Sequence, residues 1–363
     1  MYLKWLELRD FRCHRELSFR PEEGVNVLIG PNGAGKTSVL EAIGYASALR
    51  SFRRTPDAAL IRTGADEAII RVGLDFPGGE RKIELELPAN GRRRVLLNGK
   101  RPRANAELSE SLPIVAFLPD DLDLVKGSPG RRRDFLDELA GQLSPQAAAV
   151  QGEYARAVRQ RNTLLKQEGR NADLVTLSVW DERVAAAGGE VTLHRLQLMD
   201  RLNPVLREAY GSVAGDAKVE AVYRCGWTEN LESREADRLS GDLLGALEER
   251  RSRDMDIRAT TSGPHRDEPA FDLEDRVVRT QASQGEQRSV ALALRLASYR
   301  LLEERHGIPP ILLLDDVFSE LDVSRAEGVM EVLPRGQVFV TSAREDEVPV
   351  AGRRWQVRAG SLM

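Results

Sequence analysis

Cysteine is scarce: this 363-residue chain has two, Cys13 and Cys225. Their positions offer neither the close spacing of a zinc site nor the framework of a disulfide-stapled domain, so both are expected as reduced thiols. No apolar run approaches the roughly 20 residues that cross a bilayer, and no secretory signal pattern opens the chain. The expected compartment is the cytoplasm, with no membrane role. A net charge of −4 excludes binding to nucleic acid through overall basicity, so any such surface must be a local patch. Internal repeats and low-complexity tracts are also missing. What remains is an ordinary globular composition, 41% hydrophobic and 30% charged, in a chain long enough for roughly two domains.

Against that background one stretch is informative. Gly30-Pro31-Asn32-Gly33-Ala34-Gly35-Lys36-Thr37 fits the phosphate-binding pattern G-x-x-x-x-G-K-[ST]. Before it, Val25, Val27, Leu28 and Ile29 form a short apolar run, read as a buried strand. After it, Val39, Leu40, Ile43 and Ala46 recur at helical spacing. Bare glycines let the backbone wrap a polyphosphate with its N–H groups turned inward, and the helix N-terminus adds partial positive charge. Lys36 is then positioned for the β- and γ-phosphates and Thr37 for Mg²⁺. The pattern predicts a site for ATP or GTP with Mg²⁺.

The rest of the chain divides by periodicity. Residues 1–29 read as strands leading to the loop. From 66 to 99 the period becomes two, clearest in Ile83-Glu84-Leu85-Glu86-Leu87. Turn signals at Pro77-Gly78-Gly79, Asn90-Gly91 and Asn98-Gly99 predict antiparallel hairpins. Residues 113–118 read as a buried strand. Helix signals dominate from Pro129 to about Arg258, with a start at Ser144-Pro145 and an interruption expected at Gly188-Gly189.

Near the C-terminus, Ile311-Leu312-Leu313-Leu314-Asp315-Asp316 is an apolar run ending in two acids, the pattern of a buried parallel strand. Its C-terminal end falls where α/β sheets bind ligands. Asp315 is assigned to Mg²⁺ beside Thr37, and Asp316 to orienting or deprotonating a water, so Lys36, Asp315 and Asp316 form the predicted catalytic set. Because loop and acids stand near opposite ends of the chain, the sheet must be assembled from both ends around a helical insertion. Ser283-Gln284-Gly285-Glu286-Gln287 opens another helix. Ser283 and Glu286 alone would make a capping box.

Together these motifs resemble the ABC-type ATPase heads of the SMC kind, and Ser283 to Gln287 is similar to their signature motif. Within that group the whole chain resembles the RecF family of bacterial recombination mediators. Pro119-Asp120-Asp121-Leu122 through Asp137, Ser262 through Asp267, and Leu313 through Asp322 carry that likeness, with Ser319-Glu320-Leu321-Asp322 as the D-loop. A middle section of this length holds helices of about 30 residues, roughly 45 Å, and no long coiled-coil arm or CxxC hook. The implied fold is an α/β ATPase head with a β-hairpin subdomain and an inserted helical one. Its parts are 1–125, 126–258 and 259–363.

The resemblance implies ATP and Mg²⁺ as cofactors, Ser283 and Gly285 acting in trans on the loop of a second copy, and an ATP-dependent homodimer on DNA. It also implies a RecR partner and a role in DNA repair and replication, gap repair and the SOS response. Three departures from ABC heads predict slow hydrolysis. There is no Gln in 119–124, Thr341-Ser342 stands where a His is common, and Asp316 stands for the usual Glu.

Candidate DNA contacts, to phosphates rather than bases, are Arg50, Arg53, Arg54, Arg92, Arg93 and Arg94. Lys100, Arg101, Arg103 and Arg131 to Arg133 are further basic clusters. The arginines at 131–133 head a helix, where cations oppose the dipole, which hints at an anionic partner. A transporter-type ATPase subunit would share the loop and signature but leaves the hairpins and the 119–137 stretch unexplained. A small-molecule kinase leaves Ser283 to Gln287 unexplained.

Overall fold

The computed structural model of the chain describes residues 1–104, 106–318, 336–349, 351–358 and 360–362. The D-loop expected at 319–322 lies outside them. In chain order, strands β1 (Tyr2–Phe11), β2 (His14–Phe19) and β3 (Val25–Ile29) lead into helix α1 (Lys36–Ala48). Strands β4 (Glu67–Phe76), β5 (Gly79–Pro88) and β6 (Arg94–Leu97), helix α2 (Ala106–Ser111) and strand β7 (Ile114–Phe117) follow. Next come α3 (Leu122–Lys126), α4 (Pro129–Leu143), α5 (Pro145–Glu168), α6 (Leu174–Ala214), β8 (Val219–Arg224), α7 (Ala236–Glu249) and α8 (Arg251–Ile257). The remaining elements are β9 (Glu268–Leu273), β10 (Arg276–Val277), α9 (Val278–Gln281), α10 (Gln284–His306), β11 (Ile311–Asp315), β12 (Val338–Ser342), β13 (Arg353–Arg358) and β14 (Ser361–Leu362).

These form two compact units, one of residues 1–121, 212–215 and 295–363, the other of 122–211 and 216–294. In the first unit, α1 lies between two sheets. The antiparallel sheet has the order β2-β1-β4-β5-β6, so the expected hairpins extend a sheet begun by the N-terminal strands. Alternation sets its faces: Ile83, Leu85 and Leu87 are buried while the residues between them are half-exposed. The second sheet has the order β14-β13-β3-β12-β11-β7 and is parallel apart from the edge strand β14. It draws β3 and β7 from the first part of the chain and its other strands from the last. Covered on both sides, α1 is buried all round, from Val39 and Leu40 to Tyr45 and Ala46.

The second unit carries the helices and a three-stranded sheet, β10-β9-β8. Strand β8 falls inside the stretch read as helical; Val219, Ala221 and Tyr223 face inward with period two. Pairing of β8 with β9 ties the chain beyond residue 258 to this unit. Helix α5 starts where expected, its first turn capped by Ser144. The break expected at Gly188-Gly189 does not occur, and α6 runs through the pair without interruption. The glycines serve close approach instead. A Cβ on Gly188 would stand 2.4 Å from Leu243, and one on Gly189 would stand 2.6 Å from the backbone nitrogen of Ser240, both on α7. Nearby, Arg161 is fully buried and bonded to Asp181 and Asp254, joining α5, α6 and α8 through paired charge.

Candidate nucleotide site

Strand β12 separates β3 from β11, so the C-terminal ends of β3 and β11 open on the same side of the parallel sheet. The glycine loop leaves the first and Asp315 ends the second. Each glycine has its own reason. A Cβ on Gly30 would lie 2.3 Å from the carbonyl oxygen of Val357 in β13. Gly35 has φ 109° and its Cβ would meet Cys13 and His14 at 2.8 Å, while Gly33 has φ 81° and faces open space. Only glycine adopts those angles without strain. The loop is braced by Ala34 N donating to Pro31 O (3.1 Å), and α1 starts with Val39 N donating to Gly35 O (3.2 Å).

Lys36 is 8% exposed and folds back on its loop, Nζ donating to Gly30 O at 2.6 Å and Pro31 O at 3.1 Å. Burial pulls its pKa below the ordinary value, opposed by the charges of Asp316, Asp315 and Glu347. Thr37 Oγ1 donates to Asp315 Oδ1 at 2.8 Å, joining residues from opposite ends of the chain. The same oxygen accepts from Thr341 Oγ1 (2.7 Å), whose hydroxyl in turn accepts from Asp316 N (2.9 Å). Asp316 holds φ 54°, a left-handed conformation unusual outside glycine. Ser342 Oγ donates to Glu347 at 2.7 Å. A cavity of about 570 Å³ opens over this group, with Asn32, Lys36, Thr37, Asp315 and Asp316 in its walls.

The predicted residues of the loop and of the acidic strand are therefore brought together. Arg53, read as a DNA contact, lines this cavity too. Sequence reasoning missed Arg12 and Cys13, which also line it. Arg12 donates to both carboxylate oxygens of buried Glu41, at 2.8 and 2.7 Å. Neither residue lies in a periodic pattern, so no sequence signal marks them.

The other basic candidates separate by what they touch. Arg50, Arg54 and Arg92 are exposed. Arg93 is committed to the end of α1, donating to Leu49 O at 2.7 Å and Tyr45 OH at 3.1 Å. Arg94 pairs with Glu86 at 3.4 Å on the surface. The cluster at 131–133 finds its anionic partner inside the protein. Arg132 is 2% exposed, donates to Gly127 O at 2.9 Å and pairs with Glu268, while Arg133 donates to Asp267 O at 2.7 Å.

In the second unit, Ser283 and Glu286 form the capping box in both directions. Ser283 N donates to Glu286 Oε2 at 2.6 Å and Glu286 N to Ser283 Oγ at 3.3 Å. Those bonds to Ser283, with Arg276 at 3.0 Å, hold the Glu286 carboxyl below its usual range. Gln287 is buried and donates to Val278 O at 3.0 Å, whereas Ser283 and Gln284 face solvent. Among the described residues no helix is long and apolar enough to cross a membrane.

Known proteins resemble the chain over nearly its whole length. The family model described as RecF/RecN/SMC N terminal domain matches residues 2–360. The DNA replication and repair protein RecF of Streptomyces avermitilis is 40% identical, with 100% of this chain and 99% of that protein covered. Its counterpart in Renibacterium salmoninarum is 39% identical over 99% of this chain and 98% of that protein. A solved structure of the recombination mediator protein RecF of the RecFOR pathway with ATP superposes with a TM-score of 0.92 at 28% identity, covering 100% of this chain and 97% of that one. An Smc head bound to the C-terminal winged-helix domain of ScpA shares the fold, with a TM-score of 0.57 at 18% identity over 100% of this chain and 97% of that one.

Proposed function

The chain belongs to the RecF family within the RecF/RecN/SMC group, and from that membership we propose that it is an ATP-switched, DNA-binding recombination mediator of DNA replication and repair, acting in gap repair and SOS induction in the cytoplasm. The observation that carries the reading is the 2.8 Å contact of Thr37 Oγ1 with Asp315 Oδ1 at the mouth of the glycine loop. Two oxygen donors at that separation suit Mg²⁺, which keeps several waters and takes one or two protein ligands beside phosphates. Mg²⁺ there would supply charge neutralisation between the β- and γ-phosphates.

The chain's own residues divide the remaining work. Gly33, open on its outer side, leaves the backbone free to wrap phosphate. Lys36 would exchange its two carbonyl acceptors for phosphate oxygens. Thr341 and Thr37 hold Asp315 in one rotamer. Asp316 orients water, one methylene shorter than the Glu of related heads. Thr341 and Ser342 are engaged with Asp315 and Glu347, and neither offers the base that a His would. Turnover is therefore slow, below the roughly 10 s⁻¹ median of enzymes, and suits timing. Ser283 to Gln287 act in trans across an ATP-dependent homodimer on duplex or gapped DNA. Hydrolysis releases the clamp, and RecR is the partner that the family implies.

Sedimentation of the wild type and Lys36→Met, with ATP and with or without duplex DNA, tests this reading. ATP-driven dimerisation in the wild type alone is expected. A wild type that stays monomeric with saturating ATP and duplex refutes it.

A further inference from the structure

The turn that opens helix α10 is held from two sides. On its buried side Gln287 donates to Val278 O and Arg279 O, at 3.0 and 3.3 Å, and so fixes α9 against the start of α10. On its exposed side stands Arg276, placed by the hairpin of β9 and β10. Arg276 pairs with Leu273 across Glu274 and Asp275, whose φ angles of 48° and 60° make the two-residue turn favoured between antiparallel strands. From there the guanidinium spans the turn. Nη1 donates to Gln281 O at 3.5 Å and Nη2 to Glu286 Oε1 at 3.0 Å.

The contact with Glu286 has an electrostatic consequence. The first turn of a helix attracts anions through its free N–H groups and its partial positive charge. In α10 a carboxylate already stands there, Glu286 Oε2 accepting from Ser283 N at 2.6 Å. The bonds to Ser283, and then the one to Arg276, hold that carboxyl below its usual range, so it is charged at neutral pH. Left bare, it would repel a second anion approaching Ser283 and Gly285. Arg276 is always protonated and cancels that charge. Its neighbour Arg279 is turned to Glu268 at 3.7 Å, and Arg224 of β8 to Asp272 at 3.0 Å. With side chains 45% and 31% exposed, the pair of Arg276 and Glu286 adds little to stability. Its effect is on the field at the start of α10.

We propose that Arg276 is a positioning residue for the signature turn, neutralising Glu286 so that the start of α10 accepts the terminal phosphate of a nucleotide held by a second copy. The inference rests on the reading, given above, that Ser283 to Gln287 act in trans. Arg276 acts through Glu286 and need not touch the phosphate. An exposed charge pair shifts an equilibrium by up to about fivefold. A two-fold symmetric dimer contains the site twice, so a loss of about threefold at each site multiplies to about tenfold in dimer affinity.

Sedimentation equilibrium of the full chain with saturating ATP measures dimer affinity for the wild type, Arg276→Gln, Arg276→Lys, Glu286→Gln and the double variant. Arg276→Gln is expected to dimerise about tenfold more weakly than the wild type. Arg276→Lys keeps the charge and should stay within about threefold of the wild type. The decisive comparison is the double-mutant cycle. Glu286→Gln keeps a capping box but removes the charge, so adding Arg276→Gln to it should cost less than about twofold. An Arg276 that only braced the turn through Gln281 O would cost the same in both backgrounds, and that result overturns the proposal. So does an Arg276→Gln that dimerises as the wild type does, or an Arg276→Lys as weak as Arg276→Gln. Salt gives a second measurement on the same proteins. The gap between wild type and Arg276→Gln narrows as ionic strength rises, and a gap that salt leaves unchanged refutes neutralisation. Wild type that stays monomeric with ATP defeats the in-trans reading itself, a result distinct from equal losses in the two backgrounds.

Discussion

Replacing Asp315 distinguishes its structural work from the metal chemistry proposed for it. Its Oδ1 accepts from Thr37 and from Thr341. Thr341 is 1% exposed, whereas Thr37 is half-buried at the cavity. In Asp315→Ala the Thr341 hydroxyl keeps no acceptor in a buried place, at a cost of about 1–3 kcal/mol. Thr37 borders the cavity and finds water instead, at little cost. Asp315→Asn keeps an oxygen able to accept both bonds, so its stability is expected within about 1 kcal/mol of the wild type. Neither variant retains the carboxylate charge. Urea unfolding, followed with ATP plus EDTA and with ATP plus Mg²⁺, reads both effects. Ligand at 100 times its Kd stabilises by about 2.7 kcal/mol, so a metal that tightens wild-type binding tenfold adds about 1.4 kcal/mol. Asp315→Asn should show the same ATP increment with and without Mg²⁺. An Asn variant that keeps the full Mg²⁺ increment would refute the pairing of Thr37 and Asp315 around the metal. One destabilised as much as the Ala variant would refute the hydrogen-bond accounting.

Two further tests concern the second unit. Gly189→Ala should gain up to about 1 kcal/mol of helix propensity yet lose more, about 1–3 kcal/mol, because its Cβ would stand 2.6 Å from Ser240 N and 2.9 Å from Ala236 O. Gly241→Ala on α7 has no neighbour within 4 Å and should be stabilised, so equal unfolding midpoints for the two would count against close helix approach as the reason for the pair. The second test follows pH. Burial lowers the pKa of His265 to about 4, against about 6.5 in an unfolded chain. The folded state therefore binds fewer protons, so the contribution is present above about pH 6.5 and is lost as pH falls toward 4, by up to about 3 kcal/mol. His265→Gln should flatten that part of the profile, and an unchanged slope would show that His265 does not titrate between those limits.

The parts of the site that were legible in the sequence are those whose physical reasons are local. A loop that must wrap phosphate needs glycines at fixed spacing, and a buried strand ending in acids is a continuous run, so β3, α1 and β11 could be read directly. The hairpins followed from period two. The misreadings came where the reason sits far along the chain. Gly188-Gly189 looked like a helix break because nothing nearby announces α7 approaching from residue 240. The arginines at 131–133 hinted at an anionic partner, but nothing nearby in the chain says that for Arg132 it is the carboxylate of Glu268. His14 meets an oxygen 346 residues away, and no pattern around Phe11-Arg12-Cys13-His14 hints at it. Strand β8 was hidden by strong helical signals on both sides.

The placing of β3 has a consequence for how the protein is made. Both of its neighbours, β12 and β13, come from the final stretch of the chain. During synthesis, which delivers N-terminal segments first, the strand that carries the glycine loop waits with two bare edges until residues 338–358 have been added. Such edges invite mispairing, and α1 with the antiparallel sheet, complete much earlier, would shield only one face of it. A nascent or prematurely ended chain thus carries the whole glycine loop without the sheet that aligns it with Asp315. Alignment of the loop with Asp315 therefore comes only after β11, β12 and β13 have been made.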